Sequence, residues 1–189
     1  MSKRIVATLS ASSMQAAMQQ LQDYKKNLQH KCELFCQRLA NHGILVAQEN
    51  LGEFGTYITF RVDTELRPNG CKGVLVASNT GHIVSRWLVK DPDNPDEEIV
   101  READVSPLMM AEFGSGLRAT NVRASEFNMG TGTFPEQTHA EDPGGWWYKD
   151  ADDETWYHSK GVSPTMPMWR AAMEMEDLVV STAREVFGS

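Results

Sequence analysis

Apolar side chains recur at every third or fourth position in a stretch that runs from Met14 to Leu39. This spacing predicts an amphipathic helix of about seven turns with polar residues on its other face. We expect His42-Gly43 to end or interrupt it, since glycine commonly follows a helix end. So long a helix leaves two interpretations open: a plain core helix, or a helix that partly meets a neighbouring molecule.

A second stretch with the same spacing closes the chain, from Met168 to Val186. It follows Pro164 and Pro167, and proline just ahead of a first turn favours a helix start. Acidic residues in its earlier half and Arg184 near its end suit the helix dipole. The sequence therefore predicts an amphipathic C-terminal helix.

Between the two helices, apolar and polar residues alternate in short runs that are rich in β-branched and aromatic side chains. These runs cover residues 56–62, 73–78 and 83–89, and a further short run at residues 4–9 precedes the first helix. Turn residues separate them, at Asn69-Gly70 and at Asn79-Thr80-Gly81. The pattern predicts an antiparallel meander and, together with the helices that pack on it, an α+β domain.

Acidic residues dominate the segment 90–104, where Pro92 and Pro95 discourage regular structure. Its acidic residues are Asp91, Asp93, Asp96, Glu97, Glu98, Glu102 and Asp104. We predict an acidic loop. A run of this kind is usually a solvated surface. The functional alternative is an electronegative patch that keeps DNA from sticking as it passes.

Residues 118–165 lack periodicity and carry many turn residues, so we expect a long insertion within a single domain that covers residues 1–189. Two aromatic runs inside it flank an acidic stretch, a pattern typical of a β-hairpin with an acidic tip. Their large aromatic side chains are Trp146, Trp147, Trp156 and Tyr157. Because such side chains are costly to leave in water, they either cover the domain core or dock onto a neighbour.

Composition narrows the class of protein. Hydrophobic residues make up 41% of the 189-residue chain and charged residues 23%, values typical of a soluble globular domain. The net charge of −8 argues against a dedicated nucleic-acid binder, which needs a surplus of Lys and Arg. The longest apolar stretches are far below the roughly 20 residues that span a bilayer, so we expect no membrane partner and no secretory signal.

Three cysteines cannot all pair within one chain. Cys32 and Cys36 lie four apart on one face of the predicted helix, and Cys71 lies in another element. With His30 they suggest a metal site, but the spacing is not that of a zinc knuckle. We therefore expect buried free thiols in a reducing cytosol and no metal.

Motifs for catalysis are missing from the sequence. The Gly-Thr-Gly at 130–132 is followed neither by a helical pattern nor by a lysine, so it is not a phosphate loop. Ser115 lacks the strand–turn–helix context of a nucleophile elbow. His139, Glu141 and Asp142 suggest an acid–base or metal cluster, yet an Asp-Pro-Gly turn explains them locally. We expect no enzyme activity, no catalytic residues and no cofactor.

Three segments, in order, carry a resemblance to a known family. Residues 110–116 (Met-Ala-Glu-Phe-Gly-Ser-Gly) resemble the Val-Glu-Phe-Gly-Thr-Gly segment of the tail-completion or neck proteins of long-tailed bacteriophages, which join head to tail. Residues 139–160 resemble the Gly-Trp-Trp-Tyr hairpin that many of those proteins contain. Residues 164–168 and the helix to Phe187 resemble the family's Pro-x-x-Pro start and its ending in Glu-Val-Phe.

The resemblance implies a structural protein of the virion, assembled in the host cytoplasm, which joins the completed tail to the DNA-filled head. The implied partners are the head connector or head-completion proteins, the tail-terminator or tail-tube proteins, and DNA that passes without sequence-specific binding. The resemblance also implies a ring of identical subunits around the DNA channel, and we favour a hexamer over a dodecamer.

Within that role, we expect Glu112 to accept hydrogen bonds from amides of the glycine turn beside it. Aromatic side chains dominate interface energetics, so a subunit contact is expected where they cluster. The residues expected at such an interface are Trp146, Trp147, Trp156, Tyr157, Glu112 and Phe113. The residues expected to form an acidic channel or surface loop are Asp91, Asp93, Asp96, Glu97 and Glu98.

Three alternatives stay open at this stage. One is another structural protein at a different place in the phage tail, either a tail-terminator ring or a minor tail protein of similar fold. Another is a small metal-dependent hydrolase built on the segment that contains His139 and His158. The third is a phage-encoded binding module that inhibits a host protein.

Overall fold

The computed structural model describes residues 10–68, 70–118 and 143–188. Its helices are α1 (Ala11–Glu49), α2 (Pro107–Phe113) and α3 (Pro167–Phe187). Its strands are β1 (Ile58–Arg67), β2 (Gly70–Asn79), β3 (Ile83–Lys90), β4 (Glu98–Val105), β5 (Trp146–Asp150) and β6 (Trp156–Ser159). The long N-terminal helix, the C-terminal helix and the antiparallel sheets confirm the α+β class.

The strands form two antiparallel sheets within the described residues. β1 pairs with β2 along its whole length, from Ile58↔Asn79 to Arg67↔Gly70. The second sheet has the strand order β4-β3-β5-β6. The predicted single meander is therefore wrong, because β2 and β3 follow each other in the chain but lie in different sheets. The strand predicted at residues 4–9 lies outside the described residues.

Asn79, at the end of β2, contacts the start of α2. Its Nδ2 donates to Ser106 Oγ at 2.7 Å, and its Oδ1 accepts from the Leu108 amide at 3.0 Å. Ser106 caps α2 in turn, because its Oγ accepts from the Met109 amide at 3.3 Å. The last residue of β2 thus holds the start of α2, and the predicted turn becomes a link between two sheets.

α1 continues through His42-Gly43 and ends at Glu49, so the predicted helix end is wrong. Gly43 is buried, and a Cβ at this position would lie 2.7 Å from Met175 Sδ on α3 and 3.1 Å from Leu75 Cδ2 on β2. The glycine lets three elements approach closely. That packing offsets the roughly 1 kcal/mol that glycine costs inside a helix relative to alanine.

α3 lies antiparallel to the second half of α1. The ring centroid of Phe187, at the end of α3, is 5.9 Å from that of Phe35, and Met175 lies against Gly43 further along α1. Both helices were expected on the sheet. α1 does contact β1 and β2, whereas α3 packs chiefly against α1 and also touches α2.

The hydrophobic core lies where α2, the 3-10 turn Gly52–Thr56, the start of β1 and the end of β4 meet. Its buried residues are Leu51, Phe54, Ile58, Val105, Met110 and Ala111. Ile83 of β3 and Val162 pack against it. A core of this size leaves the first half of α1 and one face of the four-stranded sheet largely exposed.

The acidic loop predicted at 90–104 is shorter in the structure, because β4 begins at Glu98 and pairs with β3 along its whole length. A period of two is present in this segment, with Ile99, Ala103 and Val105 on one face. The density of charge concealed this alternation at the level of sequence. The remaining turn covers residues 91–97.

Candidate interaction surfaces

Glu112, at the end of α2, binds the first turn of α3. Its Oε2 accepts from the Met168 amide at 2.9 Å and its Oε1 accepts from the Trp169 amide at 3.0 Å. The residue before α3, Met166, is left-handed (φ 54°) and provides no side-chain cap, so a glutamate distant in sequence does so. Burial raises the pKa of the Glu112 carboxyl, and the two amides only partly oppose that effect.

We expected Glu112 to accept hydrogen bonds from amides of the glycine turn. The expected partner is wrong, because Glu112 accepts from amides of α3 instead. The turn is held by other groups: the Ser115 amide donates to the Val162 carbonyl at 2.8 Å, and Ser115 Oγ accepts from the Val162 amide at 2.9 Å. The Ala111 carbonyl accepts from the Thr165 amide at 2.8 Å. These hydrogen bonds hold residues 161–166 against the end of α2.

Trp146 packs inside the chain, over Gly116. Gly116 has φ 56°, and a Cβ there would lie 2.6 Å from the Cη2 and Cζ3 atoms of Trp146. Phe113 is also buried, at 8% exposure. Glu112, Phe113 and Trp146 each make contacts within the chain, and their assignment to an interface stays a prediction.

Strands β5 and β6 pair antiparallel, with Trp147 opposite His158, Tyr148 opposite Tyr157 and Lys149 opposite Trp156. Opposed residues share a face of the sheet. Trp147 and Trp156 are therefore on the same face, with 66% and 60% of their surface exposed.

Tyr157 is on the opposite face of these two strands, stacked on Tyr148 with ring centroids 5.8 Å apart. Its hydroxyl donates to Asp153 Oδ2 at 2.7 Å, which lowers the pKa of the Asp153 carboxyl and raises the pKa of Tyr157. Its ring is 42% exposed. Of the predicted interface residues, Trp147, Trp156 and Tyr157 are the ones that remain on the surface.

The exposed tryptophans belong to a larger surface, which we call the outer sheet face. Leu88 of β3 lies opposite Val100 on one side and Lys149 on the other, so Val100, Leu88, Lys149 and Trp156 form one row across four strands. The outer sheet face comprises Val84, Arg86, Leu88, Lys90, Glu98, Val100, Glu102, Asp104, Trp147, Lys149, Trp156 and His158. Val84 and Val100 are exposed on it. Sequence reasoning missed these valines, because their exposure depends on strand pairing.

Ion pairs tie this face together. Lys149 Nζ lies 2.7 Å from Glu98 Oε2, and that hydrogen bond lowers the pKa of Glu98 and raises the pKa of Lys149. Arg86 Nη1 lies 2.7 Å from Asp152 Oδ1, at the tip of the hairpin. One pair joins β5 to β4 and the other joins the hairpin tip to β3, so the hairpin is held on the sheet by charge as well as by backbone pairing.

The five residues of the predicted acidic loop have different surroundings. Asp91 is half-buried, and its Oδ1 accepts from the Asp93 amide at 2.9 Å within the turn. Asp93, Asp96 and Glu97 are exposed. Glu98 is a strand residue that pairs with Lys149. A cluster of three exposed carboxylates on a turn is what remains of the predicted acidic patch.

The first half of α1, residues 11–30, forms a second exposed surface, which we call the projecting segment. Its large apolar side chains Met14, Met18, Leu21, Tyr24 and Leu28 are all exposed. Burial along α1 begins at about residue 31, near the end of α3. The long N-terminal helix is therefore only in part a core helix.

Candidate chemistry is sparse in the described part of the chain. Residues 10–68, 70–118 and 143–188 contain no cluster of three His, Cys, Asp or Glu side chains that would hold a metal ion. The three cysteines are free and half-buried, with Cys36 Sγ 3.9 Å from the Cys71 carbonyl, and burial raises the pKa of Cys36. His158 packs on the Trp147 ring at 4.8 Å. The proposed cluster at 139–142 and the Gly-Thr-Gly at 130–132 lie outside the described residues.

No protein-family model, curated protein or solved structure matches this chain. Among the helices of the described residues, none has both the length and the apolar character needed to cross a bilayer. The assignment of a function therefore depends on the motifs in the sequence and on the geometry described above.

Proposed function

We propose that this chain is a structural virion protein at the head–tail junction of a long-tailed phage. In this role it completes the tail and joins it to the head connector, as a ring around the DNA channel, and it catalyses nothing. The observation that supports the proposal is that the first of the three segments with the family resemblance contacts both of the others.

These contacts connect segments that are far apart in the chain. Glu112 of the first segment caps α3, which follows the third segment, through the amides of Met168 and Trp169. Gly116 of the first segment lies under Trp146 of the second. A single structural unit built from the three motifs requires such contacts between segments that are distant in the chain.

The exposed surfaces favour an assembly role over catalysis. The groove between the end of α1 and the start of α3 is lined by Val46, Glu49, Asn50, Met166, Trp169, Arg170, Met173 and Glu174, without a nucleophile–base pair. By contrast, the outer sheet face and the projecting segment expose contiguous apolar side chains, which mark protein contacts. A head-to-tail contact between identical subunits closes into a ring when its rotation allows; we favour six subunits, with twelve as the alternative.

In this proposal the ring is assembled in the host cytoplasm and is bound on one side by the connector or head-completion proteins. On the other side it meets the tail-terminator or tail-tube proteins, and DNA passes through it without sequence-specific contact. The net charge of −8 supports passage over binding, since an acidic surface repels phosphates.

Deletion of the gene from the phage genome that carries it tests this role. We expect full heads and finished tails that fail to join, and infectious particles after the purified protein is added to the mixed extract. Particles that assemble and infect normally without the protein would refute the proposal. Tails of irregular length would instead indicate a tail-terminator ring.

A further inference from the structure

Within the described residues, one helix surface and one sheet surface carry exposed apolar side chains that no other element covers. Helices and sheets each have an apolar face that must be buried against another element, and a helix on one face of an antiparallel sheet is a standard way to do so. Here the projecting segment packs on nothing through its apolar side, and the outer sheet face has no helix on it within the described residues. The two surfaces can complete each other between molecules.

The projecting segment has a regular apolar stripe. Met14, Leu21 and Leu28 lie seven residues apart, and the same row continues to Phe35, which packs on α3. One side of α1 is therefore a single apolar row that is used within the chain at one end and exposed at the other. A helix of 20 residues is about 30 Å long, which is enough to cross a four-stranded sheet with strands about 4.8 Å apart.

Charge distinguishes the projecting segment from the rest of the molecule. It contains Lys25 and Lys26 against one acid, Asp23, and Lys31 follows at its end. The whole chain, by contrast, has a net charge of −8. Lys25 stands seven residues after Met18, within the apolar row. A partner for this segment must therefore offer apolar contact with acidic groups nearby.

The outer sheet face meets both requirements. Val100, Leu88 and Trp156 form its apolar row, with Trp147 beside them. The face itself carries three acids and three bases, and the adjoining hairpin tip adds three further acids. The acids are Glu98, Glu102, Asp104, Asp152, Asp153 and Glu154. The bases are Arg86, Lys90 and Lys149. Arg86 pairs with Asp152 and Lys149 pairs with Glu98, so these two acids are engaged as well, and the surface keeps a net negative charge.

Two other occupants fit less well. A second projecting segment would bring two basic helices together, with a lysine in each apolar row. Packing of the projecting segment on the outer sheet face of its own molecule also fits less well. The buried half of α1 contacts α3, β1 and β2, which lie in another part of the fold. A second copy of the chain supplies the acidic apolar face that the segment needs.

We propose that the projecting segment of one copy packs on the outer sheet face of a second copy, with its lysines directed to the acids around that face. Each copy binds one neighbour through its projecting segment and another through its outer sheet face. The contact is therefore head-to-tail and can close into a ring. The contact does not depend on a place in a virion, and it provides the geometry that the ring proposed above requires.

Two double variants separate the two sides of the contact. Met18→Glu with Leu21→Glu places charge on the apolar stripe of the projecting segment. Val100→Lys with Trp156→Thr removes two apolar side chains from the outer sheet face. All four side chains are exposed, so each variant should fold, which circular dichroism checks. The measurement is sedimentation velocity of the full chain at micromolar concentrations.

Wild-type protein is expected to self-associate and each variant to sediment as a monomer. A one-to-one mixture of the two variants retains one intact helix and one intact sheet face, so it should form heterodimers and nothing larger. A monomeric wild type at the highest attainable concentration overturns the proposal. Self-association that the sheet-face variant leaves unchanged overturns it as well, in favour of contact between projecting segments. Rings that survive both variants would refute this contact and leave the head–tail role standing.

Discussion

Lys149 on strand β5 lies 2.7 Å from Glu98 on strand β4, and strand β3 runs between them. The pair therefore crosses a whole strand on the outer sheet face. β5 pairs with β3 at only two positions, through Asp150 and Lys149. The Lys149 side chain is 19% exposed, which is low for a surface lysine. The Lys149 side chain therefore adds a cross-strand attachment to the short β3–β5 pairing and to the Arg86–Asp152 ion pair.

Replacement of Glu98 by glutamine should loosen the hairpin without unfolding the domain. Because the lysine hydrogen bond holds the pKa of Glu98 below its usual 4.5, the pair stabilises the fold above that pH. The contribution is lost as the pH falls through the lowered pKa. We expect faster amide hydrogen exchange at residues 146–150 in the variant at neutral pH, and in wild type only in acid.

Glu97→Gln is the matched control for that change, since Glu97 is the exposed neighbour of Glu98 and lies on the turn before β4. It should leave the exchange rates of the hairpin unaltered. Equal exchange rates in the two variants would show that the Lys149 pair does not hold the hairpin.

Truncation of Glu112 to alanine should destabilise the protein by about 1–2 kcal/mol, the usual effect of losing a helix cap. Two amides of α3 then lose their acceptor. Glu112→Gln keeps one oxygen acceptor and should be more stable than the alanine variant. Urea denaturation of the three proteins measures the differences, and an alanine variant as stable as wild type would contradict the capping role.

The pH dependence of Glu112 has the opposite sign to that of Glu98. Burial raises the pKa of Glu112 above 4.5, so the folded protein holds this proton more tightly than the unfolded chain does. Its contribution is therefore fully present below about pH 4.5 and declines as the pH rises through the raised value. The stability of wild type relative to Glu112→Gln should decrease over that window.

Trp146 and Trp147 are adjacent in sequence, and the structure predicts different effects for their removal. Trp146→Ala takes a half-buried ring away from Gly116 and should cost about 1–3 kcal/mol of unfolding free energy. Trp147→Ala removes an exposed ring that contacts the His158 ring, and should cost about 0.5 kcal/mol of unfolding free energy or less. Thermal unfolding distinguishes them; similar losses for both would refute this division.

Local sequence patterns predicted the elements whose periodicity is strong. Both amphipathic helices were found from spacing alone, because apolar side chains recur along one side of α1 and of α3 whether or not that side is buried. Gly43 was misinterpreted as a helix end, since its effect depends on Met175, which is 132 positions away. The division into two sheets was also missed, because local alternation does not show which strands pair with each other.

The candidate surface was only partly accessible to sequence reasoning. Aromatic content indicated the hairpin, but it does not distinguish Trp146, which packs inward, from Trp147, which is exposed; strand register decides that. The role of Glu112 was expected in kind, as an acceptor of amide hydrogen bonds, and its target depends on the tertiary fold. The outer sheet face needed the pairing of Leu88 with both Val100 and Lys149.

The acidic turn provides a test of the proposed passage of DNA. Reversing Asp93, Asp96 and Glu97 to lysine raises the net charge by two at each position, from −8 to −2. Glu98 is left unchanged, because its pair with Lys149 stabilises the sheet. If the turn faces the channel, lysines there will hold phosphates, and the release of DNA from triggered phage particles should slow, most strongly at low salt.

A charge-matched variant separates the position of these residues from the total charge. Glu174, Glu176 and Asp177 are exposed on α3, and their reversal to lysine gives the same net charge of −2 at a site distant in sequence from the turn. Particles with this control should release DNA at the wild-type rate. If both variants slow release equally, the effect is due to overall charge, and the turn has no special place beside the DNA. If neither slows it, the acidic turn is a solvated surface.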